Sequence, residues 1–224
     1  MSIKLCLVGD SNVDRHFAKI KAARNDPCFQ SVNVVRATNL AQVRAAISPP
    51  EVAEARSHVL LACLTNPIAD YQFTNTASML KHCESIFTQL KTYIAEGRAA
   101  VPGDLEQVNL SYGSILSPHI LSAHYLLFQP LLLFIIQVYV MPPMYRECPF
   151  WYKRNYPQIS ATFTSSFRQP VGHTFALASY VNPVFERDGI HLTEDDGLKY
   201  ALFNFLNISF ANTDYSCKMC FYLS

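Results

Sequence analysis

The apolar positions change period several times along the chain, and each change marks an element. Ile3 to Val8 is an apolar run broken only by Lys4, and it ends at Gly9-Asp10-Ser11-Asn12. A run this short suits a buried strand. Val13 to Arg24 then carries apolar residues at 13, 17, 18, 20 and 22, a helical spacing with small polar residues able to cap its start. Val32–Val35 is a second β-branched run. Leu40 to Ile47 is apolar at 40, 43 and 47, one side of a helix that Pro49-Pro50 stops. His58 to Leu64 reads HVLLACL, a strand buried on both faces. Ala77 to Glu96 is a long amphipathic helix with Met79, Ile86, Phe87, Leu90 and Ile94 toward the core, closed by Gly97 and Pro102. Val138–Met141 is a further strand ended by Pro142-Pro143. Leu192 to Leu206 is a last helix, with Leu198, Leu202, Phe205 and Leu206 as its apolar side.

Strands that alternate with helices, and that read as continuous apolar runs, predict a parallel sheet covered on both faces. The expected fold class is α/β, a three-layer α/β/α arrangement. One domain is expected over residues 1–207, with 208–224 as a tail of unassigned structure.

Composition narrows the function classes. A chain of 224 residues and 25.3 kDa can bury a full core without disulfides or a structural metal. Half of it is apolar and 16% is charged, which argues against long disorder. Eighteen Lys+Arg against 17 Asp+Glu leave a formal charge of +1, which argues against a nucleic-acid partner. The seven cysteines are odd in number and scattered, as reduced thiols are. Lys4 breaks the first apolar run too early for a signal-peptide core, and the expected location is cytoplasmic. His119 to Met141 is the one candidate membrane segment. A spanning helix needs roughly 20 apolar residues. Gln129, Pro130 and Gln137 interrupt the strongest part, and flanking positive charge is thin, so no span is expected.

In open parallel sheets, functional groups gather in the loops at the carboxyl ends of strands. Three such loops carry chemistry. Gly9-Asp10-Ser11-Asn12 places a serine at a helix N-terminus, where free N–H groups and the dipole favour a developing negative charge. Ser11 can be a nucleophile there, or the tetrapeptide can simply be a turn and helix cap. Thr65-Asn66 follows the HVLLACL strand, and the Asn66 amide can donate to an oxyanion or only form a turn before Pro67. Asp188-Gly189-Ile190-His191 sets an Asp three residues before a His, a spacing that can orient an imidazole. Tyr145, Arg146, Phe150, Trp151, Tyr152, Lys153 and Arg154 form an aromatic and basic cluster after the Pro142-Pro143 strand end. Arg146 and Trp151 in it are candidate substrate contacts; equally, Trp151 and Phe150 can simply close the core. Asn12 is a third candidate substrate contact.

Taken together and in this order, the three loops resemble the SGNH hydrolase superfamily, the GDSL-type esterases and lipases. Gly9, Asp10 and Ser11 match its block I, Asn66 part of its block III, and Asp188 and His191 its block V, with the likeness running from residue 3 to about 206. The resemblance implies a flavodoxin-like sheet, a small ester or acetyl substrate, and neither metal nor cofactor. It implies Ser11 as nucleophile, His191 as general base and Asp188 as its orienting partner. Ser11 N–H, Asn66 and a block II amide, from Ala37 or Thr38, would hold the oxyanion. Three departures stand out: Leu64 replaces the block III Gly, Pro67 replaces its Asp, and block II has no Gly. They leave a second reading open, a catalytically impaired binding protein on the same scaffold, as in some mobile elements.

Residues 108–137 fit nothing in that architecture and read as an insertion. Without them, Asp104–Gln107 would run directly into Val138, and Gln-Val occurs at both joints, 107–108 and 137–138. Two origins fit: an intron retained in frame, or a hydrophobic insertion that docks lipid or forms a lid.

Overall fold

A computed structural model describes residues 3–23, 29–47, 58–99, 137–168 and 174–211. Most of the insertion and the chain beyond Ala211 therefore lie outside the described residues. Five strands form one parallel sheet: β1 (Ile3–Gly9), β2 (Phe29–Arg36), β3 (His58–Ala62), β4 (Gln137–Val140) and β5 (Thr174–Ala176). Their order across the sheet is β2-β1-β3-β4-β5. The chain steps from β1 out to β2, then returns to the other side of β1 with β3. The direction of winding thus reverses between β1 and β3, and that reversal opens a crevice at their carboxyl ends.

Side-chain alternation explains why the strands read as unbroken apolar runs. Cys6, Val8, Val59, Leu61, Val138 and Val140 face one core, while Leu5, Leu7, Leu60, Ala62 and Tyr139 face the other. Helices α2 (Leu40–Ile47), α4 (Thr76–Ala99) and α5 (Phe150–Ser166) cover the first face. Helices α1 (Ser11–Ala23) and α6 (Glu194–Ala211) cover the second. The short α3 (Thr65–Ala69) follows β3 at the crevice. This is the three-layer α/β/α architecture, with both faces of the sheet buried. Burying each Leu- or Phe-sized side chain contributes about 1.5–3 kcal/mol. Met79, Ile86, Phe87, Leu90 and Ile94 all face the core, as the spacing of α4 predicts.

Two details differ from the sequence reading. The last helix runs to Ala211, and Ile208 within it is fully buried, so the first four residues assigned to the tail complete α6. Its buried side is also rotated. Asp196, Tyr200, Ala201, Asn204 and Ile208 face inward, and Leu198 is 45% exposed. Tyr200 sets this rotation by meeting Phe17 of α1 edge to face at 6.0 Å. Among the described residues, no helix is long and apolar enough to cross a membrane. Among the described residues, Cys63, Cys83 and Cys148 are free thiols.

Candidate active site

The first loop is built around Gly9. A Cβ at Gly9 would sit 2.5 Å from Val13 Cγ2 and 2.9 Å from the Ala62 carbonyl oxygen, so no other residue fits between β1, β3 and α1. Asp10 then turns the chain: its Oδ1 accepts the Asn12 N–H at 3.0 Å, and its carbonyl accepts the Asp14 N–H at 3.1 Å. Ser11 is consequently the first residue of α1, where its amide has no intrahelical acceptor and the helix dipole is positive.

The third loop is a small hairpin. Phe185 and Leu192 pair as an antiparallel bridge, and the Glu186 N–H donates to the His191 carbonyl at 2.7 Å. Gly189 closes the turn at φ +66°, a left-handed conformation that glycine adopts without strain. The hairpin is fixed from outside as well. The Gly189 carbonyl accepts the N–H groups of Glu147 and Cys148 at 3.0 and 3.3 Å. Asp196 in α6 accepts the Val184 N–H at 2.8 Å and the Tyr180 hydroxyl at 3.0 Å.

These two loops bring three side chains into line. His191 Nε2 lies 3.1 Å from Ser11 Oγ across 180 positions of sequence, and His191 Nδ1 lies 2.5 Å from Asp188 Oδ2. Asp188 Oδ1 also accepts the backbone N–H groups of His191 and Ile190, at 2.9 and 2.8 Å. Those two amides, foremost that of His191, hold the Asp188 carboxyl at about 2, below its ordinary 3.8. A permanent carboxylate at Nδ1 keeps the proton on that nitrogen and leaves Nε2 free to accept one from the serine hydroxyl.

The second loop adds Asn66, half-buried in α3. Arg146, from the loop after β4, reaches it through Nη2, which donates to Asn66 Oδ1 at 2.6 Å and to Asp10 Oδ2 at 3.1 Å. Both members of the Arg146–Asp10 pair are almost fully buried. Burial pushes the Asp10 carboxyl up, and the Arg146 charge and the amides of Asn12 and Val13 oppose that rise.

No protein-family model matches the sequence, and no curated protein sequence matches it. Solved structures do. Axe2, an acetylxylan esterase from Geobacillus stearothermophilus, superposes with a TM-score of 0.53 at 11% identity, over 92% of this chain and 94% of that one. A variant of the same enzyme gives 0.53 at 13% identity, over 93% and 95% of the two chains. TesA superposes at 0.51 with 12% identity, over 92% of this chain and 97% of that one. The chain shares the fold of these structures, an SGNH-like fold.

Against the SGNH block pattern, the Ser11, His191, Asp188 and Asn66 positions come together on one rim of the sheet, and the remaining candidates divide. Asn12, expected at the substrate, is instead fully buried. Its Oδ1 accepts the Leu192 N–H at 3.0 Å and its Nδ2 donates to the Ile190 carbonyl at 3.3 Å, so it clamps the His191 loop to α1. Asn12→Ala leaves a buried N–H unpaired, which costs about 1–3 kcal/mol. Thermal unfolding of this variant should show that loss as a lowered melting temperature.

Block II is corrected as well. The Ala37 N–H donates to the Gly9 carbonyl at 2.7 Å, and the Thr38 N–H donates to Gln42 Oε1 at 2.7 Å. Both amides are therefore engaged within the protein. The reason is a helix cap: Asn39 Oδ1 accepts the Gln42 N–H at 2.9 Å, and Gln42 reaches back across the start of α2. Arg146 is not exposed to a substrate either: it is buried, and its Nη2 is held by Asp10 and Asn66. Trp151 packs edge-on against Phe73 at 4.9 Å, on the α4 and α5 side of the sheet. Thr65 and Tyr152, read in the sequence only as members of the second loop and of the aromatic cluster, and Tyr156, not singled out there, hold the Arg146 loop. Thr65 Oγ1 accepts the Met144 N–H at 2.9 Å, and the two tyrosine hydroxyls donate to Met144 and Pro143 carbonyls at 2.8 and 2.9 Å. The four-residue spacing of those tyrosines on α5 was the available signal.

Two further groups bear on the chemistry. Cys63 directly follows β3, and burial pushes its thiol up to about 12, so this thiol stays protonated at neutral pH. Glu186, Asp188 and His191 each offer one ligand atom within 4.8 Å of one another. Both His191 ring nitrogens are already hydrogen-bonded, to Asp188 and to Ser11, so a cation there would compete with one of those contacts.

Proposed function

We propose that the protein is a serine hydrolase of carboxylic esters. One observation carries this reading: a hydroxyl, an imidazole and a carboxylate from opposite ends of the chain stand in hydrogen-bonded series. Ser11 Oγ attacks the acyl carbon while His191 Nε2 takes its proton. The carbonyl oxygen becomes an oxyanion that Ser11 N–H and Asn66 Nδ2 stabilise. Collapse of that intermediate expels the alcohol, which leaves with the proton from His191. Water then attacks the acyl-serine and gives its proton to His191; the acyl–Oγ bond breaks, His191 returns the proton to Ser11 Oγ, and the carboxylic acid is released. Asp188 fixes the imidazole tautomer and stabilises the imidazolium. The ester class is supported by the acetylxylan esterase named among the structures of similar fold.

The engaged block II amides favour one other reading, a binding protein in which turnover is impaired. One measurement separates the two. The hydrolase reading expects a fluorophosphonate probe to form a covalent adduct located on Ser11 by mass spectrometry, and a short p-nitrophenyl ester to block it competitively. A folded protein that takes no label would establish the binder instead.

A further inference from the structure

The oxyanion role of Asn66 needs its amide turned one way. The nitrogen must face the reacting carbonyl, and the oxygen must face elsewhere. An asparagine side chain is nearly symmetric in shape, so a hydrogen-bond partner has to decide between the two orientations. Here the partner is Arg146. A guanidinium only donates, so it can meet Oδ1 and never Nδ2. At 2.6 Å this contact fixes the oxygen toward Arg146 and leaves both amide hydrogens pointing away from it. The same Nη2 holds Asp10, the residue before Ser11, at 3.1 Å. One nitrogen therefore registers the Asn66 amide against the loop that carries the nucleophile.

We propose that Arg146 is a positioning residue that sets the orientation of the Asn66 oxyanion donor, and that Asp10 holds Arg146 in place for that task. The proposal rests on the hydrolase reading above. It accounts for three observations at once. Arg146 is buried at a place where a lone charge would be costly, and the Asp10 carboxylate compensates it. Its loop is held by three hydrogen bonds, between Thr65, Tyr152 and Tyr156 and the backbone of Met144 and Pro143. And Pro67 stands directly after Asn66, so the next side chain in the chain offers no polar group to orient the amide. Arg146 supplies that partner from the loop after β4.

The test is a double-mutant cycle read in kcat and KM on a p-nitrophenyl ester. Arg146→Met is expected to lower kcat about 10- to 100-fold, part of the loss for a missing oxyanion donor, with KM within about threefold. Arg146→Lys keeps a donor and a charge and is expected to restore much of the rate. In an Asn66→Ala background, Arg146→Met is expected to change kcat by less than about threefold, because the group it positions is gone. A loss of equal size in both backgrounds would show a purely structural role and overturn the proposal. If Arg146→Met does not fold, the pair Asp10→Asn with Arg146→Met leaves no uncompensated buried charge and replaces it in the cycle. A wild-type protein without Ser11-dependent turnover would remove the hydrolase reading and this proposal with it. Turnover with an additive cycle would remove only the role of Arg146.

Discussion

Replacing Ser11 by alanine is expected to lower ester turnover by about 10⁴-fold or more, the scale on which removing a triad nucleophile acts. The size follows from what the substitution leaves behind. Ser11→Ala keeps the backbone amide at the start of α1, so oxyanion stabilisation by that N–H persists. It also keeps Asn66, Arg146 and the clamp by Asn12, none of which touches the Ser11 hydroxyl. What is lost is the atom that forms the acyl bond, and water must then attack without covalent assistance. Stability should change little, since the Ser11 hydroxyl makes its contact with His191 on the partly exposed rim. The check is steady-state hydrolysis of a p-nitrophenyl ester together with thermal unfolding. Turnover that persists in a folded Ser11→Ala protein would remove Ser11 from the chemistry and point to a different nucleophile.

The parts of this site that were legible in sequence share a physical cause. Gly9-Asp10-Ser11 and Asp188-x-x-His191 each lie within a few residues of one another, so local geometry decides what they do. Gly9 is dictated by close packing against Val13 and Ala62, and Asp188 by two amides of its own turn. Arg146 was legible as a basic residue near a strand end but not as a buried one. Its burial depends on Asp10, 136 positions away, and no spacing rule connects the two. Thr38 was readable in principle: Asn39-x-x-Gln42 is a capping pattern, and it commits the Thr38 amide to the side chain of Gln42. Helix α5 escaped because Pro157 stands inside it and its sequence is rich in Ser, Thr and aromatic residues of weak helix preference. β5 has three residues, too few for a period to show. In α6 the apolar residues were counted correctly but the buried side was not, because Tyr200, Ala201 and Asn204 pack inward while Leu198 stays out. Periodicity finds the helix; the neighbouring helix α1 decides which side of it is covered.

Replacing Asp188 by asparagine is expected to lower kcat by about 10²- to 10⁴-fold, and the argument is one of tautomers. The asparagine oxygen can still accept the amides of Ile190 and His191, so the turn is retained. Its NH₂ then faces His191 Nδ1, where the carboxylate oxygen stood at 2.5 Å. A donor opposite Nδ1 forces the ring proton onto Nε2, the nitrogen that has to accept the proton of Ser11. The side chain of Asp188 is 41% exposed, so solvent can in part replace the lost partner, and this places the effect below that of a fully buried triad carboxylate. The pH dependence of stability gives a second, independent readout. The carboxyl of Asp188 is depressed from 3.8 to about 2 on folding, so its contribution is fully present above pH 3.8 and is lost as the pH falls toward 2. The melting-temperature gap between wild type and Asp188→Asn should therefore be constant at neutral pH and shrink between about pH 4 and 2. By the same sign, a fall in wild-type activity between pH 7 and 4 cannot come from protonation of Asp188. A gap that stays unchanged down to pH 2, with kcat unaffected in the asparagine variant, would mean that Asp188 neither binds the two amides nor orients His191 in solution.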